Sequence, residues 1–333
     1  MKVDYHVHLE EGPYSFSYIE KIMNAIEHFK PIPYRKHSKE WFTEVVDVLH
    51  KRMHETEYSE WWFDFYLERA LQCNLKEVGI VDHFYRFKET RDYFERFMDL
   101  ESPSIGEMQR NWLNNVMVRR LDEFVDFIEG QKRKWASRGV KLKLGMEADY
   151  FVGGEDQLAE ILQPYPFDYI IGSVHYYNGW GFDNPLLQKT FEKYDLLKLY
   201  KEHFKTVEKA AASKMFDIIA HLDNMKVFNY RPEEALLQGT YRHLAKVLKE
   251  SDVATEINPG LYYRYPVKEM CPSALLLDIL VEEQVPFTTS SDSHFPQDIG
   301  IYGDDIQAML TNRGVTKVAT FTNRKREMVR FEA

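Results

Sequence analysis

The chain has 333 residues, of which 44% are hydrophobic and 29% are charged, a balance typical of a globular enzyme with a packed core. Its formal net charge is −10, from 43 basic and 53 acidic side chains. This charge argues against a general nucleic-acid surface, because phosphate backbones bind to basic footprints. A small phosphorylated substrate is still compatible with it, since a few local positive groups or metal ions are enough to bind one phosphate.

The start of the chain and its cysteines indicate a cellular setting. The first residues, MKVDYHVHLEEG, contain no basic segment followed by an apolar run, and no stretch of about 18 apolar residues occurs elsewhere. Cys73 and Cys271 lie far apart and outside any CxxC spacing, which argues against a disulfide framework or a zinc ribbon. We therefore expect a cytoplasmic protein that does not enter a membrane. The sequence leaves its oligomeric state open.

Short apolar runs alternate with longer helical patterns, which indicates repeated β–α units around a parallel sheet. The runs are nearly continuous (EVGIVD, YIIGSV, DIIAHL), as expected for strands that are covered on both faces. The predicted strands lie near 3–8, 76–82, 142–148, 168–174, 216–220, 253–257 and 286–291, with a further candidate near 316–321.

Two long segments, near 14–75 and 86–140, interrupt this alternation. The first is rich in aromatic and charged residues at the spacing of amphipathic helices. In the second, the run from ESPSIG to KWASRG predicts one long helix that ends near Gly139. Because no linker or fixed repeat separates parts of the chain, we expect one barrel domain over 1–333 with both segments as helical insertions.

Histidines and carboxylates follow the predicted strands in a regular way. His6 and His8 end the first strand, Asp82 and His83 the second, Glu147 the third, His175 the fourth and His221 the fifth, while Asp292 and His294 follow the last. In a parallel barrel the carboxyl ends of all strands open onto one face, so these side chains are expected to converge there. Imidazole and carboxylate together bind zinc, iron or manganese, and a carboxylate such as Glu147 can bridge two ions.

The motifs that carry these residues are DYHVH, VDH, GMEADY, GSVHY, IAHLD and SSDSH, in this order between 4 and 294. As an ordered set they resemble the PHP (polymerase and histidinol phosphatase) superfamily, and within it the histidinol-phosphatase branch. The resemblance implies an α/β fold, a distorted (β/α)7 TIM-like barrel, that holds two or three divalent ions (Zn, Fe or Mn).

The resemblance also implies which residues hold each ion. One ion would lie on His6, His8, Glu147 and Asp292, and a second on Glu147, His175 and His221. A third would lie on His83 and His294 with an acidic or histidine side chain shortly after the His-x-His pair. At this last position the chain departs from the family pattern. The segment EEG at 10–12 suggests Glu11 as the substitute, in line with a two-residue deletion, and Glu10 is the alternative.

The implied activity is a histidinol-phosphatase of histidine biosynthesis, which hydrolyses L-histidinol phosphate to L-histidinol and phosphate. A metal-bridging hydroxide would attack phosphorus in line, and no covalent enzyme intermediate is required. Glu147, Asp292 and His294 are the expected catalytic residues. Arg264, in EINPGLYYRYPVKEMCPS, is the preferred phosphate ligand, because a guanidinium holds two oxygens at once, and Lys268 is a weaker second candidate.

The rest of the substrate is expected to contact residues outside the metal ligands. Tyr176, with its neighbours Tyr177 and Trp180, offers aromatic rings for stacking, although such clusters more often serve packing. For a substrate that bears an imidazole and an amine, an acidic rim would favour binding. Its possible members are Asp183, Asp223 and Glu155.

Three other functions remain open from the sequence. Two of them are a phosphatase for another small phosphate or phosphotyrosine and a non-enzymatic binding protein that has kept the fold. A metal-dependent amidohydrolase also begins with His-x-His on a barrel strand, but such enzymes commonly bridge their ions with a lysine, where this chain has Glu147. Dinucleotide, P-loop and serine-hydrolase functions lose their usual support, because GxGxxG, GxxxxGK[ST] and GxSxG are absent.

Overall fold

The structure is a computed structural model and describes residues 1–331. Strands and helices alternate along this part of the chain. The strands are β1 (Val3–Val7), β2 (Glu77–Ile80), β3 (Lys141–Asp149), β4 (Tyr169–Ser173), β5 (Tyr176–Tyr177), β6 (Trp180–Gly181), β7 (Ile218–Ile219), β8 (Ala254–Ile257), β9 (Phe287–Thr289), β10 (Lys317–Thr322) and β11 (Lys325–Arg330). The helices are α1 (Phe16–Phe29), α2 (Lys39–Glu55), α3 (Glu60–Gln72), α4 (Arg91–Phe97), α5 (Gly106–Val116), α6 (Leu121–Ser137), α7 (Glu155–Leu162), α8 (Leu196–Ala212), α9 (Gln238–Glu250), α10 (Gly260–Arg264), α11 (Ala274–Glu282) and α12 (Gly303–Thr311).

Seven parallel strands form the central sheet in the order β1-β2-β3-β4-β7-β8-β9. Neighbours in this order are also neighbours in the chain, apart from the short β5–β6 hairpin, which pairs with itself. A parallel bridge between Val7 and Ser293 brings the end of β1 to the segment after β9, where the His8 amide donates to the Ser293 carbonyl at 2.7 Å. The sheet therefore curves into a nearly closed barrel, and the predicted fold class is confirmed.

The opposite end of the barrel is filled by aromatic side chains and covered by a hairpin. Strands β10 and β11 pair antiparallel, and Phe321 of β10 packs against Tyr5 and Tyr169 inside the barrel. The Tyr5 hydroxyl accepts a hydrogen bond from the Phe321 amide at 3.0 Å and donates one to Glu77. Because this end is packed and covered, the carboxyl ends of the strands are the face that can receive a ligand.

The helices of 16–72 and 91–137 lie in the two segments where insertions are predicted. The prediction of one long helix ending near Gly139 is wrong. Two helices, α5 and α6, stand in its place, because Arg119 forms a parallel bridge with Phe87 and its carbonyl accepts from the Lys88 amide at 2.8 Å. This extended pairing takes 117–120 out of the helical pattern. The chain does turn at Gly139, which has a φ of +83°.

None of the helices within residues 1–331 combines the length and the apolar character that crossing a bilayer requires.

We predict that Gly79→Ala lowers the free energy of unfolding by about 1–3 kcal/mol, because overpacking strains a full core. A Cβ at this position would lie 1.9 Å from the Tyr169 hydroxyl, which donates to the Tyr5 carbonyl at 2.7 Å. Gly130→Ala is the control, since nothing lies within 4 Å of a Cβ there. In α6 this change should be neutral or stabilising by about 0.5–1 kcal/mol. Urea denaturation compares the two variants, and equal midpoints would contradict the packing described for Tyr169.

Candidate active site

Glu147, near the end of β3, is the centre of the site. Its Oε2 lies 2.7 Å from His83 Nδ1 and 3.5 Å from the Nε2 atoms of His6 and His8. Its other oxygen, Oε1, lies 3.2 Å from His221 Nε2 and 3.6 Å from His175 Nε2. One buried carboxylate thus faces two groups of imidazoles, one with each oxygen.

The histidines and carboxylates at the strand ends divide into three groups whose nitrogen and oxygen atoms lie within 4.8 Å of one another. The groups are His8 with His83 and His294, His6 with His8 and Asp292, and Glu147 with His175 and His221. All members are buried. The structure therefore brings together every histidine, and both carboxylates, that the sequence placed in the first two ion sets.

Asp292 and Arg264 form one wall of the site. Asp292 Oδ1 lies 3.7 Å from His8 Nε2, while its Oδ2 accepts a hydrogen bond from Arg264 Nη2 at 2.6 Å. The other guanidinium nitrogen, Nη1, lies 2.5 Å from His294 Nδ1. A Cβ on Gly260 would lie 2.4 Å from Asp292 Oδ2 and 2.6 Å from Arg264 Nη2, so glycine leaves the space that this contact needs.

Two carboxylates that the sequence analysis did not select hold histidine rings in place. Asp149 Oδ1 lies 2.7 Å from His175 Nδ1, and Glu256 Oε2 lies 3.0 Å from His6 Nδ1. Such pairs fix the tautomer and leave Nε2 free to face a ligand. A signal existed for both: Asp149 follows Glu147 at strand spacing, and Glu256 interrupts the apolar strand β8.

Burial and neighbouring charges set the protonation of the centre. Burial alone would raise the pKa of Glu147, but the positive charges of His83 and His6 lower it well below its usual range. Burial, with the charges of His83 and His294, lowers the pKa of His8 well below its usual range. Burial lowers the pKa of His6 and His83, but the charges of nearby carboxylates outweigh this and raise both. Glu147 and His8 are therefore already in the forms that bind divalent ions, whereas His6 and His83 must lose a proton on binding.

The centre fits a divalent metal on the evidence of its unpaired atoms. Within residues 1–331, buried atoms without a hydrogen-bond partner include His6 Nε2 and both ring nitrogens of His8. An unpaired polar atom in a protein interior costs about 1–3 kcal/mol. Because His6 Nε2 and His8 Nε2 both lie 3.5 Å from Glu147 Oε2, a cation placed between them would satisfy both nitrogens. Nitrogen with carboxylate oxygen is a donor set that transition metals prefer.

The two candidates for the last ligand, Glu11 and Glu10, lie in different environments. Glu11 Oε2 is 3.5 Å from His294 Nε2, so Glu11 borders the centre. Glu10 points away, and its carboxylate accepts hydrogen bonds from Arg52 at 2.6 Å and Arg86 at 3.4 Å. The geometry therefore favours Glu11 over Glu10 as the acidic residue that joins His83 and His294.

Arg86 connects the site to the first helical segment. Its guanidinium donates to Asp82 at 2.8 Å, to the Glu10 carbonyl at 3.0 Å and to Glu57 at 2.7 Å. Glu57 also accepts two hydrogen bonds from Arg119, at 2.7 and 2.6 Å. Asp82, predicted as a site residue from its place after β2, therefore lies in a buried ion-pair network next to the centre rather than in it.

Other predicted residues have separate environments. A cavity of about 50 Å³, the metal cavity, is lined by Arg264, Asp183 and all the metal-ligand candidates except His6 and His8. Lys268 is exposed and does not line it. Tyr176 borders a second cavity next to it. The remaining candidates have partners elsewhere: Tyr177 with Glu202, Trp180 with Tyr194, Asp223 with Lys226, and Glu155 with Tyr150. Lys268, Asp223 and Glu155 thus lie outside the site.

A parallel barrel whose strand ends converge on histidines and carboxylates is the architecture of a metal-dependent hydrolase. Residues 50–260, more than half of the chain, match the PHP domain, so the chain belongs to the PHP domain family, as its motifs predict.

Relatives with known names agree with this family. A "probable histidinol-phosphatase" of Deinococcus radiodurans is 34% identical over 209 residues, which cover 62% of this chain and 78% of the relative. One of Clostridium acetobutylicum, with the same name, is 26% identical and covers 53% and 69%. The fold is similar to a histidinol phosphate phosphatase from Lactococcus lactis, solved with zinc, L-histidinol and phosphate, with a TM-score of 0.61, 15% identity and 98% of both chains covered.

We predict that Arg86→Met lowers the free energy of unfolding by about 3–5 kcal/mol, because removing one partner of a buried ion-pair network leaves uncompensated charge. The fully buried Arg86 faces three carboxylates, those of Glu10, Glu57 and Asp82. Chemical denaturation measures the loss.

Arg91→Met is the matched control, because Arg91 pairs with Glu95 at 2.9 Å on the surface, where such pairs contribute about 0–1 kcal/mol. If both variants unfold at the same denaturant concentration, the buried network does not stabilise the fold in the way described.

Proposed function

We propose that the chain is a histidinol-phosphatase that hydrolyses L-histidinol phosphate to L-histidinol and phosphate. The observation that carries the proposal is the position of Glu147 between two groups of histidines, with the Arg264 guanidinium in the same cavity. The names of the relatives from Deinococcus radiodurans and Clostridium acetobutylicum support this substrate. The amidohydrolase alternative receives no such support.

Two or three divalent ions, of zinc, iron or manganese, are the cofactors we propose. His6, His8, Glu147 and Asp292 would hold the first, and Glu147, His175 and His221 the second. His83, His294 and Glu11 would hold the third. When bound, such ions neutralise phosphate oxygens and lower the pKa of water.

The chain's own residues bind and orient the phosphate. The reaction breaks the bond between phosphorus and the histidinol oxygen and adds the oxygen of water to phosphorus, while a proton passes to the departing oxygen. Arg264 presents its guanidinium to the metal cavity and suits two phosphate oxygens at once. Asp149 and Glu256 keep the rings of His175 and His6 at fixed angles, so that little reorganisation is needed during the reaction.

A comparison of substrates tests the proposal. Phosphate release from L-histidinol phosphate should exceed release from phenyl phosphate and phosphotyrosine by at least about tenfold in kcat/KM, since remote contacts add to transition-state binding. Metal analysis of protein purified without chelators should give two or three ions per chain. Comparable kcat/KM values for all phosphoesters would defeat the assignment to histidinol phosphate, and a metal-free, fully active protein would defeat the metal centre.

We predict that His8→Ala reduces phosphatase activity by more than about 100-fold and lowers the metal content, because His8 belongs to two of the three ligand groups. Far-UV circular dichroism should show little change, since the ring lies in the site and not in the apolar core. His243→Ala is the control, because the side chain of His243 is 66% exposed and pairs with Glu208 outside the site. Wild-type activity in His8→Ala would contradict the proposed ligand set.

We predict that Arg264→Gln lowers kcat/KM for L-histidinol phosphate by roughly 10- to 100-fold, the effect of losing a charged donor to a phosphate. Metal content should stay near that of the wild type, because Arg264 contacts Asp292 Oδ2 and His294 Nδ1. Asp292 Oδ1 and His294 Nε2 face the other ligand candidates, His8 and His83. Arg242→Gln, at an exposed pair with Glu282, provides the control. If Arg264→Gln lost its metal together with its activity, Arg264 would be a support for the ligands and not a phosphate-binding residue.

A further inference from the structure

A second, larger cavity lies beside the metal cavity. It has a volume of about 550 Å³, compared with about 50 Å³ for the metal cavity. Five residues line both: Glu11, His83, His175, Asp183 and Tyr265. We call the larger space the outer cavity. Because the two share a wall, a molecule whose phosphate lies at the metal centre can extend its other end into the outer cavity.

One face of helix α5 forms a wall of the outer cavity. Met108, Asn111, Trp112 and Asn115 all line it, and their spacing of three and four residues places them on the same side of the helix. This helix belongs to the second helical segment, not to a β–α unit of the barrel. The segment therefore supplies binding surface as well as an outer layer.

Aromatic rings continue from this wall to the metal centre. The Tyr85 ring stacks on the His83 ring with centroids 4.7 Å apart, and Trp112 meets Tyr85 edge-on at 4.6 Å. Tyr176 lines the same cavity from the β5 strand. Flat, largely apolar walls of this kind suit a planar aromatic group.

The two cavities differ in charge. Arg264 lines the metal cavity, whereas no lysine or arginine of residues 1–331 lines the outer cavity. Asp183 lies at the boundary and is part of both walls. Glu11 Oε2 lies 3.5 Å from His294 Nε2. Asp183, in contrast, forms no ion pair with any residue of 1–331. A ligand that is anionic at one end and cationic at the other fits this distribution.

We propose that the outer cavity binds the group esterified to phosphate, that it selects a planar ring bearing a nearby ammonium, and that Asp183 is the partner of that ammonium. The inference rests on the proposed function and extends it to residues that determine specificity. Trp112, Tyr85 and Tyr176 contact the ring. Asp183 forms an ion pair with the ammonium at the boundary with the metal cavity.

The test is Asp183→Asn, which keeps the shape of the side chain and removes its charge. KM for L-histidinol phosphate should rise roughly 10- to 100-fold, as expected for the loss of a charge-assisted hydrogen bond. The kcat/KM for phenyl phosphate, which has a ring but no amine, should change by less than about twofold because it makes no use of that bond. Calorimetric titration with L-histidinol alone should show the same weakening without any turnover.

Glu107→Gln is the matched control, because Glu107 lies on α5 but is exposed and does not line the outer cavity. Equal losses with both substrates, or unchanged L-histidinol binding in Asp183→Asn, would overturn the inference while leaving the proposed function intact. If the wild type fails to hydrolyse L-histidinol phosphate, the proposed function itself fails. The two failures are therefore distinguishable.

A second variant, Trp112→Leu, separates the ring from the charge. It should raise KM for L-histidinol phosphate and phenyl phosphate alike, by about two- to tenfold, because both place a ring against the aromatic wall. If Trp112→Leu leaves both KM values unchanged, α5 does not contact the bound substrate and the assignment of the outer cavity is wrong.

Discussion

The carboxylate of Glu147 is the group on which the arrangement of the site depends. It is 1% exposed, and a buried charge is tolerated only when opposite charges or hydrogen bonds surround it. Its partners come from β1, from segments after β2, β4 and β7, and from a hydrogen bond donated by Ser173 at 2.6 Å. The sheet curves around one axis, and this curvature brings side chains from these distant parts of the chain to two oxygen atoms.

Charge around this centre is arranged in layers. Imidazoles surround Glu147, and the carboxylates of Asp149 and Glu256 lie behind two of those imidazoles. Farther out, Arg86 pairs with the carboxylates of Glu10, after β1, and Asp82, after β2. Each layer compensates the one inside it, which explains how so many ionisable groups remain buried in one place. This outer layer also joins the first helical segment to the site, because Arg52 of α2 forms an ion pair with Glu10.

The sequence predicts the strands and the inner layer well, because both have local signals. Buried parallel strands are continuous apolar runs, and the metal-ligand candidates follow them directly. The outer layer is less visible. Glu10 and Glu11 are adjacent acids with no local feature to separate them. Their roles are distinguished by two arginines distant in the sequence, Arg52 and Arg86, which form ion pairs with Glu10. The signal for Asp149 and Glu256 is weaker, because it consists only of a charged residue inside a buried strand.

The incorrect long helix and the origin of the outer cavity have the same cause. A continuous helix over this stretch would satisfy the local pattern, but the pairing of Arg119 with Phe87 interrupts it. After the interruption α6 packs on β3, while α5 is free to present Met108, Trp112 and Asn115 to the space above the metal centre. Arg119 is held there by Glu57, a partner distant in the sequence. Tertiary ion pairing thus overrides helix propensity at this break and separates the helix that supports the barrel from the helix that borders the outer cavity.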